Sequence, residues 1–467
     1  MVFKRFLWCA LVCLGLVYAC YKDDPAPTDD TTQTDDTTDP TDDTTAAEFL
    51  GEIDWIYTYG GSNLDVANSV VTTQDGGFAV LGYTQSIDGD ITDKTATDSD
   101  FWVLRLDADG QLLWSKTYGG SADDRGNQIV VTNDGGYAVV GFSRSADGDS
   151  SQNAGFQDYW IIKLDASGNF EWEQSYGFAG SDQANAVIQT TDGGYFLSGF
   201  LDITASGGAG NDGFSGPPST QPKHGVGEFW GIRLDSNGQL LWRRFFGGTN
   251  NDRSYSVLQT TDGGFLMTGS SESDDFDVSN PNGSYDFWAV RINDSGDLLW
   301  ENSFGGSEID IAYSLTALSS NTYLMVGDSR SIDGDVSAPL GNADLWAVAF
   351  NDSGNMLWQK SYGGTLFDSA RGVDQLPNGE LVIVGNSRSS DGQVSSNLGQ
   401  NDGWIILTNG NGELQWETSI GGSGVDLFNS VASINSTSWI VVGDTDSTDG
   451  DIPTNRGNKD AIIVKIK

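Results

Sequence analysis

From residue 51 onward, short apolar runs alternate with clusters of Gly, Asp and Ser at a nearly constant interval. The segment Gly119 to Tyr176 shows the unit. Apolar positions follow Asp124 through Ile129, Val130 and Val131. Asp134-Gly135-Gly136 then supplies adjacent glycines, which tolerate the positive φ of a tight hairpin. Tyr137 to Phe142 makes a second run, a polar loop leads to a third at Tyr159 to Leu164, and Asp165-Ala166-Ser167-Gly168 turns into a fourth around Trp172. Four short strands joined by hairpins predict one blade of a β-propeller.

The unit recurs. Gly-x-x-x-Trp stands at Gly51/Trp55, Gly110/Trp114, Gly168/Trp172, Gly238/Trp242, Gly296/Trp300, Gly354/Trp358 and Gly412/Trp416. Each is followed by a turn of the Gly60-Gly61 type, with Gly177-Phe178 as the variant. The interval is 58 or 59 residues except in the third unit, where it is 70. Self-similarity at a fixed period indicates one repetitive architecture. The last unit stops after its third strand at Ile466-Lys467, and Ile53 to Tyr59 supplies the missing fourth. The sequence therefore predicts an all-β fold: a seven-bladed β-propeller with four-stranded blades, closed by the N-terminal strand completing the last blade. Closure removes sheet edges that would invite aggregation, whereas a linear solenoid would need polar caps.

Composition sharpens this picture. Sixty-one glycines and 15 tryptophans against ten prolines suit turn-rich β-structure. The 66 acids and 23 bases give a net charge of −43 with no Lys/Arg cluster, so nucleic acid is not an expected partner. Cations, basic proteins and neutral sugars stay open. The cysteines are Cys9, Cys13 and Cys20, which leaves the repeats without a thiol for disulfides, zinc or nucleophilic catalysis. His224 is the sole histidine, too few for a multi-His metal site or a catalytic pair.

The amino terminus reads as an address. Lys4 and Arg5 precede an apolar run from Phe6 to Ala19, the layout of a secretory signal and short for a membrane span. Val17-Tyr18-Ala19-Cys20 resembles a bacterial lipobox, which makes Cys20 the lipidated residue. Lys22-Asp23-Asp24 is similar to the export signal of Bacteroidetes surface lipoproteins. From Pro25 to Thr45 the chain is almost wholly Asp, Thr and Pro, a composition that predicts an extended, disordered tether. Taken with the repeats, the chain resembles the β-propeller repeat proteins found among bacterial surface lipoproteins. That resemblance implies a signal peptide over 1–19, a lipidated Cys and tether over 20–48, a propeller over 49–467, and anchorage at the outer membrane or cell surface.

Several residues are candidates for chemistry. Six third strands carry a Trp two positions after an acid (Trp102, Trp160, Trp230, Trp288, Trp346 and Trp404), a repetition that favours packing between blades over sugar stacking. An Asp opens the first strand of every unit, from Asp65 to Asp426, near the mouth of the channel, where its carboxylate can accept backbone N–H groups of the turn. Asp147, Asp149 and Asp158 fall at positions one, three and twelve of a loop, as do Asp275, Asp277 and Asp286, and Asp333, Asp335 and Asp344. Oxygen donors at this spacing suggest calcium, although the Gly of a calcium loop at position six is absent and a plain Asp-Gly turn gives the same spacing. The third unit carries an insertion from Asp202 to Gly227 with Phe214, Lys223 and His224, the place where the symmetry fails and a ligand contact is expected.

These features favour a surface-anchored binding or scaffolding module that presents its acidic loop face to a protein or glycan. One alternative is a secreted polysaccharide hydrolase or lyase using paired carboxylates, since propellers host such chemistry. The other is a structural envelope protein without a discrete ligand.

Overall fold

A computed structural model of the chain describes residues 49–211, 224–319 and 321–467. Seven four-stranded antiparallel sheets follow one another in a ring. Blade two is built as the repeat predicts, from Asp124–Val131, Tyr137–Ser143, Asp158–Leu164 and Phe170–Tyr176. The last blade takes three strands from the end of the chain and its fourth from Ile53–Tyr59, which pairs antiparallel with Asp460–Ile466. Glu52 and Lys467 extend that ladder by exchanging backbone hydrogen bonds of 3.0 Å.

The core lies between blades. Third strands such as Asp158–Leu164 are buried along their whole length, while fourth strands are only half covered. Each third-strand Trp is buried, and three of them meet an aromatic ring of the preceding blade edge-on: Phe101 against Trp160 at 4.7 Å, Tyr159 against Trp230 at 4.8 Å, Phe229 against Trp288 at 4.6 Å. Burying such a ring is worth about 3 kcal/mol. Their indole N–H groups are also satisfied, as when Trp160 donates to Glu173 at 2.9 Å on the adjoining strand. The rings are thus architecture. Trp439, outside this register, is buried too and stacks on Phe49 at 5.0 Å.

The insertion contributes one element that the repeat gives no hint of. Ile203–Ser206 forms a single helical turn, capped by Asp202, whose carboxylate accepts the Ala205 N–H at 3.0 Å. The proposed leader, Cys20 and tether, together with Phe214 and Lys223, lie outside the described residues.

Candidate functional site

The first and third strands of each blade start at the same end of the ring, and the inter-blade turns and long loops gather there. In blade two the turn presents four successive N–H groups. Gly119 donates to Asp149 at 3.1 Å, Gly120 to Asp124 at 2.9 Å, Ser121 to Asp147 at 2.8 Å, and Ala122 to the Ser145 hydroxyl at 3.0 Å. Consecutive N–H groups of this kind form an anion-binding concavity, here filled by the chain's own carboxylates. The same cradle holds blade four through Asp277, Asp252, Asp275 and Ser273, and blade five through Asp335, Asp310, Asp333 and Ser331. The first-strand Asp ring is therefore turned into the turns, with every member fully buried.

The acid at position twelve serves a different junction. Asp158, Asp286 and Asp344 each accept the N–H four residues upstream, from Ala154, Asn282 and Leu340, at 2.6 Å. Their second oxygens lean toward the next blade: a Cβ on Gly177 would stand 2.2 Å from Asp158 Oδ1, and one on Gly305 2.4 Å from Asp286 Oδ1. Positions one and three thus face one inter-blade turn and position twelve faces the following one. Among the described residues no group of three or more His, Cys, Asp or Glu side chains is arranged to hold a metal ion.

These junctions bring carboxylates together. Asp100 and Asp124 flank Gly119, as Asp460 and Asp65 flank Gly60. One buried oxygen of Asp100, Asp158, Asp286, Asp344, Asp402 and Asp460 has no hydrogen-bond partner. Burial, with the neighbouring Asp, pushes Asp100 up to about 7 and Asp460 up to about 6.

The junction of blades three and four departs from the pattern. Glu228 replaces the third-strand Asp, is wholly buried, and meets His224 Nδ1 at 3.2 Å. Burial and then Asp252 push its carboxyl up to about 10, so it is protonated at neutral pH, and burial lowers His224. The His224 ring packs against Phe245 and Phe276, each at 5.0 Å. Phe276 occupies the position held by Gly148 and Gly334 in other loops and adopts their left-handed backbone, with φ +54°. A bulky residue there is strained, yet Phe276 remains 47 % exposed.

A second asymmetry lies in the central channel, where sequence reasoning placed nothing. Every innermost strand slips register by one residue three positions after its opening Asp. Such a β-bulge re-aims one side chain. The seven bulged residues are Asn68, Asn127, Asn185, Tyr255, Tyr313, Arg371 and Asn429, and all line a cavity of about 320 Å³. The asparagines stitch neighbouring blades, with Asn68 donating to Gly126 O at 2.8 Å, Asn127 to Ala184 O at 2.7 Å, Asn185 to Ser254 O at 2.8 Å and Asn429 to Ala67 O at 3.0 Å. Tyr255, Tyr313 and Arg371 instead form a contiguous row: the two phenol rings are 5.2 Å apart and tilted by 55°, and the guanidinium lies 3.8 Å from the Tyr313 ring.

No family model matches the chain. It is 24% identical over 411 residues to the regulatory protein FlaEY of Caulobacter vibrioides, an alignment covering 78% of this chain and 41% of that protein. The chain thus spans less than half the length of this relative. Among solved structures it is similar to Sqt1 from Chaetomium thermophilum, with 11% identity, 83% of each chain covered and a TM-score of 0.43. It is also similar to the extracellular domain of the putative hybrid two-component system BT4673 from B. thetaiotaomicron, with 11% identity, a TM-score of 0.42, and coverage of 86% of this chain and 39% of that one.

Proposed function

We propose that the chain is a binding module anchored at the cell surface, which presents the loop end of its propeller to a protein or glycan. The observation that carries this reading is Phe276. It is strained, half exposed and packed at a tilt on His224 where five other loops have an unstrained Gly. Strain at a solvent-facing aromatic is retained where the side chain has a task, and an exposed aromatic suits either a protein hot spot or a sugar face. Hydrolysis has less support. The paired carboxylates recur around the ring with turn N–H groups as partners, and in the one pair that departs from the pattern, Glu228 with Asp252, both members are fully buried.

The test is a glycan array and a bacterial-surface pull-down with residues 47–467, comparing the native sequence with Phe276→Gly. Glycine restores the repeat's own residue at a left-handed position, so the variant keeps its fold. Loss of the retained partner in Phe276→Gly is the expected result. Retention of no partner by the native protein, or equal retention by both, would sink the reading.

A further inference from the structure

We infer that the central channel is a separate binding site, for a sugar acid: a polyhydroxylated molecule carrying one carboxylate, either free or at the end of a glycan chain. The inference is independent of the loop-end site. It begins with charge. In a chain with 66 acids and 23 bases, no carboxylate among the described residues lines this cavity, and among them Arg371 is the single charged side chain that does. The nearby counter-charge, Asp328, is buried behind the lining and accepts from the Ser369 hydroxyl at 2.8 Å. It offsets the cost of placing the guanidinium here without joining the lining of the channel.

The neighbours of Arg371 complete the chemistry. Packing on Tyr313 at 3.8 Å holds the guanidinium in one plane. A planar fork so fixed matches a carboxylate with two parallel hydrogen bonds, which an ammonium cannot do. Tyr255 and Tyr313 offer aromatic surface for the C–H face of a sugar ring, and their hydroxyls stay protonated because burial raises both. Across the channel, Asn68 spends one amide hydrogen and Asn127 both on the next blade, so those positions offer a ligand amide oxygens, acceptors for hydroxyl groups, with one Asn68 hydrogen left beside them. One anion site, an aromatic wall and an acceptor wall around about 320 Å³ describe a pocket for one or two sugar rings.

Calorimetry with D-glucuronate, D-glucose and acetate tests this on the native chain and on Arg371→Gln. Glucuronate is expected to bind about tenfold more tightly than glucose or acetate, and Arg371→Gln, shown to be folded by its melting curve, to remove that preference. If Arg371→Gln does not fold, Arg371→Lys keeps the charge, loses the fork, and is expected to show the same loss. Methyl glucuronoside separates the sources: equal binding assigns a chain end, and lost binding assigns the free acid. Equal affinity for glucose and glucuronate, no binding of glucuronate, or undiminished binding by the Arg371 variants overturns the inference. Phe276→Gly should leave glucuronate binding unchanged, which keeps this test apart from that of the loop end.

Discussion

Gly51 lies beneath the indole of Trp416: a Cβ added to Gly51 would stand 2.7 Å from the ring nitrogen. The same relation links Gly110 to Trp55 and Gly168 to Trp114, so each fourth-strand Trp covers the turn glycine of the following blade. Gly51 with Trp416 is the member of the series that joins the sixth blade to the strand completing the seventh.

Gly51→Ala should therefore destabilise the ring by about 2–3 kcal/mol, combining a left-handed φ of +69° with a clash against the indole. Gly76→Ala is the control. Its φ is +84° but nothing lies within 4 Å of the added Cβ, and about 1 kcal/mol is expected. Urea midpoints of the two variants measure the difference.

The cradle of blade two predicts a steep cost at Asp124. Its carboxylate accepts from Gly120 N at 2.9 Å, Arg144 N at 3.0 Å and the Ser145 hydroxyl at 2.8 Å. Asp124→Ala leaves these buried donors unpaired and should cost about 3 kcal/mol, with Asp124→Asn costing less. Denaturant unfolding with calorimetry reads both.

Stability should fall as pH rises from about 4 to about 7. Burial raises Asp182 and Asp252 to about 6 and Asp100 to about 7, from an ordinary value of 3.8. A carboxyl raised on folding contributes nothing below the unfolded value; above it the unfolded chain releases the proton while the folded chain keeps it, so the penalty grows from about pH 4 and is complete once the folded carboxyls ionise at about 6 to 7. Asp192 and Asp262 act in reverse. Hydrogen bonds from Thr190 and Thr260, aided by Arg233 and Arg291, lower both to about 2, and their small, largely exposed contribution is lost only as pH falls from about 4 toward 2. A melting temperature that rises between pH 4 and 7 would contradict this.

Calcium should leave melting unchanged. Asp147 and Asp149 are taken up by turn N–H groups, and Asp158 faces the next junction. A metal bound only by the folded chain must raise its stability, so a calcium-dependent shift reversed by chelator would support the loop reading instead.

The blades and their closure were legible because Gly and Trp mark the same two places in every unit, and a turn glycine beneath an indole tolerates nothing else. The buried Asp ring was legible for a similar reason, since short acids recurring before a strand cap a turn. The spacing of Asp147, Asp149 and Asp158 was less informative, because one loop length joins residues that face two junctions. The channel row was hidden. Tyr255, Tyr313 and Arg371 stand where other units have Asn, a difference with meaning only once the bulge is seen to aim that position inward. One trace existed: Gly82 recurs in every second strand, and a Cβ there would come within 1.7 Å of Val66 O, the mark of a strand drawn tight against a bulge.

The bulge has a consequence for how such a molecule can change. An extra residue in a ladder owes nothing to the pairing on either side of it, so its side chain can be exchanged while the sheet stays as it was. Seven such positions around one axis act as a combination dial, each blade setting one digit of the ligand preference. New specificities could then be reached one substitution at a time, each giving up only that side chain's bonds to the next blade while the ladder of its own blade stays in place.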